Sequence, residues 1–245
     1  MRIHLQPCYI LHHRPYRDTS RILELFTRDH GRVTVFARGA RGASKKSQSL
    51  TSMLQPFNRL LLSWMGGGEA GRLTGAEFDG EYSVLPAGKV MSGWYLNELL
   101  LKLFARHDSH PEVFAWYASA LQELKTSEPA RPLRIFEKRL LEALGYGLEL
   151  AVEAATGVPI EPHCSYRYRL ERGAMRLDGV AEGDLVLSGE ALLSLYREDL
   201  HDAAACVQVR RLLRAALDRC LEGRELKSRE VMLAVKRVRN PRSGV

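Results

Sequence analysis

The stretch RVTVFARGARGASKKSQSL, Arg32 to Leu50, decides how the chain begins. Its first residues alternate. Val33, Val35 and Ala37 fall on one face of an extended segment, and Arg32, Thr34, Phe36 and Arg38 on the other. Beyond the alternation come Gly, Ala and Ser with four cations, Arg38, Arg41, Lys45 and Lys46, and no acid among them. No large apolar side chain follows before Leu50. The expected structure is a strand that runs into a mobile, uncompensated positive loop.

Similar short runs flank this one. CYILHH (8–13), RILELFT (21–27), FNRLLLSW (57–64) and RLTGAEF (72–78) are apolar or alternating, and turn signals separate them at Pro15, at Asp29-His30-Gly31 and at the glycines 66–68. Five short strands over residues 1–80 favour a closed barrel, because closure removes sheet edges. A barrel of this size and strand count is the oligonucleotide-binding (OB) fold. The expected fold class is therefore α+β, an N-terminal five-stranded OB barrel followed by a mainly α-helical domain over 81–245.

The helical periods are plain. Trp94, Leu96, Leu99, Leu100 and Leu103 follow Pro86 at helical spacing. In HPEVFAWYASALQEL, Pro111 opens a helix and Phe114, Tyr117, Leu121 and Leu124 recur on one stripe. After Pro129 and Pro132, Leu133, Phe136, Leu140 and Leu144 align, and Gly145 stops the helix. An aromatic stripe of this kind belongs to a core. Residues 148–187 lose the period, and SYRYRLERGAMRLDG alternates about Gly173 like a hairpin, a small β insertion. Helices resume from Ser188, with Cys206, Val209, Leu213, Ala216 and Cys220 on one stripe and a last helix opening at Ser228.

Charge narrows the function. The 245 residues carry a net +7, with 45% hydrophobic residues, enough for a packed core. Residues 1–80 hold 12 Lys and Arg against 6 Asp and Glu, and residues 224–245 hold 7 against 2, so the middle is net acidic. Positive ends on a chain of pI near 9.4 point to a polyanion partner. No apolar run approaches the ~18 residues of a membrane helix, and no signal-peptide core is evident. Four scattered cysteines, Cys8, Cys164, Cys206 and Cys220, fit a reduced, cytoplasmic compartment. Cys206 and Cys220 lie roughly 21 Å apart along a helix and cannot bridge.

Motifs of catalysis are missing. There is no phosphate-binding GxxxxGK[ST], no dinucleotide fingerprint, no HExxH, no CxxC and no GxSxG. His12-His13 lacks a metal-spaced partner, and His163-Cys164 lacks a second pair, so no metal site is expected. Asp178, Glu182 and Asp184 are spaced like a loop cluster with no phosphate grip nearby.

Five fragments, in this order and spacing, resemble the RecO family of bacterial DNA repair proteins. They are ILHHRPYRDTSRILELFTRDHGRVTVFARGAR, LQPF at 54–57, WYLNELL at 94–100, RIFEKRLLEALGYG ending at Gly147, and LKSRE at 226–230. The resemblance implies an OB barrel, a helical domain and an insertion that carries zinc on two CxxC pairs in many members. This chain keeps only Cys164 there, a degenerate ribbon at about 148–187. It also implies a non-enzymatic recombination mediator of the RecF pathway that binds single- and double-stranded DNA and anneals complementary strands. The implied partners are RecR, the C-terminal tail of single-stranded DNA-binding protein and, indirectly, RecA, which it helps to load; no cofactor or membrane is involved.

The residues expected to touch DNA are Arg14, Arg17, Arg32, Phe36, Arg38, Arg41, Lys45 and Lys46, cations for phosphates with an aromatic to stack a base. Leu133, Arg134 and Phe136 are expected to seat the partner tail, with Arg134 as a cation at the edge of an apolar stripe. Two other readings stay open, an RNA- or ribosome-binding barrel and a metal-dependent nuclease using the acids at 178–184.

Overall fold

The computed structural model describes residues 2–66, 70–80, 84–177 and 185–239. The acids Asp178, Glu182 and Asp184 lie outside them. Five strands, β1 (Arg2–Tyr16), β2 (Ser20–Thr27), β3 (Gly31–Ala37), β4 (Arg59–Met65) and β5 (Gly71–Phe78), close a barrel in the order β1-β2-β3-β5-β4. β1 is long enough to pair with both β2 and β4, bending where its register shifts at Ile3/Gln6 and at Ile10/His12. The barrel closes through a short parallel pairing of β3 with β5, Val35 opposite Gly71 and Phe36 opposite Arg72. Gly71 is required there, since a Cβ would lie 2.6 Å from Trp64 Cδ1.

The interior follows the alternation. Cys8, Ile10, Leu23, Leu25, Val33, Val35, Ala37, Leu60, Leu62 and Trp64 fill the barrel. Helix α1 (Lys45–Met53) adds Leu50 and Met53 to this core, with Ala40 and Leu54 buried beside them. This corrects the expected loop. α1 shows no apolar period because only one short stripe of its nine residues faces inward. Its start is fixed by Ser44, whose side chain accepts from the Ser47 N–H at 3.2 Å.

The outer face of the barrel is also used. Tyr9 and Phe26 point away from the interior and meet Phe104, Phe114 and Tyr117. These come from the end of α2 (Val90–Leu103) and from α3 (Pro111–Thr126). Asn97 of α2 donates to the Leu11 carbonyl at 2.8 Å and accepts from the Tyr117 hydroxyl at 2.5 Å, so the buried amide is satisfied on both sides. The last helix, α7 (Lys227–Arg239), opens on a foreign cap. The Glu98 carboxylate of α2 accepts from the N–H groups of Lys227 and Ser228, both at 2.9 Å, and from the Ser228 hydroxyl at 2.6 Å. Ser228 thus lies inside the first turn instead of capping it.

The chain divides into two compact units, Met1–Lys125 with Leu226–Val245, and Thr126–Glu225. The division does not fall at residue 80, because α2 and α3 bury their apolar stripes on the barrel. The second unit holds α4 (Ala130–Ala143), a small sheet of β6 (Ser165–Arg169), β7 (Gly173–Arg176) and β8 (Val186–Ser188) in the order β7-β6-β8, then α5 (Gly189–Arg197) and α6 (Ala203–Leu221). The hairpin about Gly173 is β6 and β7, and β8 adds a third strand. The expected stripe of α6 is buried, Cys206 and Cys220 included.

Candidate nucleic-acid interface

The end of the barrel where β1 and β3 finish gathers aromatic and cationic side chains. Tyr16, ending β1, packs against Phe36 of β3 with ring centroids 5.1 Å apart. The Arg17 guanidinium lies over the Tyr16 ring, 5.2 Å from its centroid. Both rings are half-buried, and Arg14, Arg17, Arg38 and Arg72 are exposed. Arg72 sits opposite Phe36 in the closing pair, so that its cation belongs to the same end. Tyr16 and Arg72 escaped the sequence reading. Their parts in this surface depend on pairings between distant strands, which no local pattern displays.

From His30 to Gly68 the chain contains no Asp or Glu and six Lys and Arg. The segment after β3 is anchored at Ala40 and Arg41. The Arg41 N–H donates to the Thr19 carbonyl at 2.9 Å, and the Thr51 hydroxyl to the buried Ala40 carbonyl at 2.6 Å. Lys45 and Lys46 are the first two residues of α1, whose first turn holds no acid. Cations at a helix N-terminus oppose its macrodipole and cost stability, and a bound anion relieves that repulsion. Arg41 and the start of α1 therefore present positive charge at one place.

Arg32 does not belong to this surface. Its Nη1 donates to the carbonyls of Leu101 and Phe104, both at 2.6 Å, and Glu24 lies 3.9 Å away. Burial pushes its pKa down, and Glu24 opposes that. The outward face of β3 is thus split. Arg32 serves the C-terminus of α2, while Phe36 and Arg38 lie beyond the cover of the helices.

The expected tail seat is corrected as well. Leu133, Arg134 and Phe136 are all buried, with Arg134 only 7% exposed. The Arg134 Nη2 donates to Glu137 Oε1 at 2.5 Å, an ion pair with both partners inside the unit. Arg134 is therefore no groove-edge cation. Periodicity placed the apolar stripe correctly but did not reveal that the flank beside it is covered too. In the insertion, the Cys164 thiol donates to Glu161 Oε2 at 3.4 Å, and Arg176 pairs with Glu161 at 2.8 Å. Among the described residues no group of three His, Cys, Asp or Glu is placed to hold a metal. No helix among them is long and apolar enough to cross a membrane.

A closed β1-β2-β3-β5-β4 barrel with a cationic edge defines an OB-barrel protein carrying a helical unit. Comparison with known proteins is specific. Residues 1–81 match the family model described as recombination protein O N terminal, and residues 88–230 the one described as recombination protein O C terminal. The chain is 42% identical over 231 residues to the DNA repair protein RecO of Aromatoleum aromaticum, covering 94% of this chain and 95% of that one. It is 42% identical over 241 residues to RecO of Nitrosococcus oceani, covering 98% and 97%, and 38% identical over 231 residues to RecO of Coxiella burnetii, covering 94% and 98%. The chain belongs to the RecO family of DNA repair and recombination proteins.

Proposed function

We propose that this chain holds single- and double-stranded DNA without reading its sequence and anneals complementary strands, as a non-enzymatic mediator that helps RecA to load on protein-coated single strands. The observation that carries this reading is the cationic edge formed by Arg17, Arg38, Arg41 and the start of α1 beside the Tyr16–Phe36 pair. Lys and Arg neutralise phosphates and release counterions whatever the base, and an aromatic face stacks any base. An annealer gains from this indifference, since it must hold both strands at once.

The family membership supports RecR and the tail of single-stranded DNA-binding protein as partners, and a cytoplasmic location. With Arg134 buried, the exposed Arg210 and Arg214 on α6 are the cations we assign to the acidic tail. The deciding experiment is annealing of complementary strands coated with single-stranded DNA-binding protein. Acceleration by the chain without nucleotide or metal supports the reading. No acceleration, or preferential binding of RNA in competition, sinks it.

A further inference from the structure

Arg21 is placed where a barrel core residue would stand. It shares the parity of Leu23 and Leu25, which are interior, and it pairs across the sheet with Ala37, which is fully buried. At the end of that interior row the cation meets α1 instead of another strand. There a groove of about 590 Å³ is lined by Arg21, Arg41, Gln48, Thr51, Ser52 and Gln55. Two guanidiniums, two hydroxyls and two amides converge on it, and no carboxylate does.

One donor is left over. The Arg21 Nη1 is buried and has no hydrogen-bond partner among the described residues. A buried cationic N–H without an acceptor is costly, and such groups persist where a ligand completes them. The charges around it repel. Burial first, and then Arg41, disfavour the charged form of Arg21, and burial followed by Arg21 disfavours that of His13, whose ring also bonds Gln55. The frame is nevertheless fixed. Gln55 Nε2 donates to the Thr51 carbonyl at 2.6 Å, Thr51 holds Ala40, and Arg41 is tied to Thr19.

We propose that this groove is a phosphate pocket, in which the Arg21 and Arg41 guanidiniums grip the oxygens of one phosphate group of a nucleic-acid strand. The proposal rests on the reading above and names the point at which that interface holds its ligand most closely. Planar guanidinium forks match phosphate oxygens two at a time. A peptide carboxylate is the poorer fit, because the lining offers no apolar seat for the side chain beside it. The phosphate is either an internal diester or a terminal monoester, and the same pocket chemistry serves both.

The test uses the full chain and equal-length single-stranded oligonucleotides with a 5′-phosphate, a 3′-phosphate or neither, titrated at several salt concentrations. Arg21→Gln should lower affinity by about tenfold or more, the effect of removing a charge-assisted hydrogen bond, and flatten the log–log salt slope by about 0.7. It should also raise the melting temperature, because an uncompensated buried donor and the repulsion with Arg41 are removed; a purely structural Arg21 would lower it. Arg21→Lys should restore part of the slope but little of the affinity. An equal loss for all three oligonucleotides assigns an internal phosphate, and a loss confined to one phosphorylated end assigns that terminus. Unchanged affinity and slope in Arg21→Gln overturn the pocket. If Arg38, Arg41, Lys45 and Lys46 replaced together still flatten the slope in that case, the interface stands without the pocket; if they too leave it unchanged, the interface itself fails.

Discussion

The Nη1 of Arg32 lies 2.6 Å from the carbonyl oxygen of Phe104, the residue that ends α2. The last carbonyls of a helix have no partner within it and carry its negative end, so a cation there satisfies both needs. Arg32→Ala should therefore cost about 1.5–3 kcal/mol of stability, the range for hydrogen bonds to a charged group. DNA affinity of the folded variant should be unchanged. Denaturant unfolding beside a binding titration checks both, and an intact stability with weakened binding would return Arg32 to the interface.

The cations of the barrel edge act through phosphates. Replacing Arg38, Arg41, Lys45 and Lys46 with Ala should weaken binding of all sequences alike and reduce the salt slope by roughly 0.7–0.9 for each phosphate no longer neutralised. The assignment is falsified if the folded variant keeps the slope of the wild type. Stability should rise slightly, since two of the removed charges oppose the dipole of α1.

Arg134 and Glu137 are a buried pair in α4. Removing one partner of a buried ion pair is costly, so Arg134→Ala should destabilise by roughly 3 kcal/mol. The double replacement Arg134→Met with Glu137→Leu should recover most of that stability. A single variant as stable as wild type would show that the pair is not closed to solvent.

Glu98 supplies the cap that the start of α7 lacks. Glu98→Ala should cost about 1–2 kcal/mol, the upper part of the range for removal of an N-cap. Amide exchange of Lys227 and Ser228 should accelerate by roughly 5- to 30-fold, the equivalent of that loss, while the amides of β3 hold their protection. Uniform acceleration throughout the barrel would instead show that Glu98 supports the whole unit.

His13 gives the barrel a pH dependence. Burial, and then the neighbouring Arg21, hold its pKa below the ordinary 6.5. As pH falls below 6.5 the unfolded chain takes up this proton before the folded one does, so stability falls on acidification and is fully present above that value. His13→Gln should shrink the drop in melting temperature seen on moving from neutral to mildly acidic buffer. An identical drop in both proteins would remove His13 as its source.

Much of the molecule is legible along the chain. The five strands show because interior residues such as Val33, Val35 and Ala37 alternate with outward ones, and the stripes of α2, α3, α4 and α6 show because their buried residues recur at three- and four-residue steps. The cationic edge shows because charges such as Arg38 and Arg41 lie close together in sequence. α1 is hidden, because a nine-residue helix lying across the end of a barrel buries too few residues to set a period.

Composition and periodicity therefore determine the barrel, the helices and the sign of the charge at the barrel end, since each rests on local spacing. Which cations are available to a ligand is settled only by tertiary structure. Arg32 in β3 and Arg38 just beyond it read alike in the alternation, yet the end of α2 takes Arg32 and leaves Arg38 in solvent. Arg134 lies at the edge of an apolar stripe on paper and inside the fold in fact. Arg21 reads as an ordinary strand cation until β2 meets α1, and Arg72 joins Phe36 only when β5 closes on β3. In each case the burial of a charge depends on what packs over it, and that neighbour comes from a distant part of the chain.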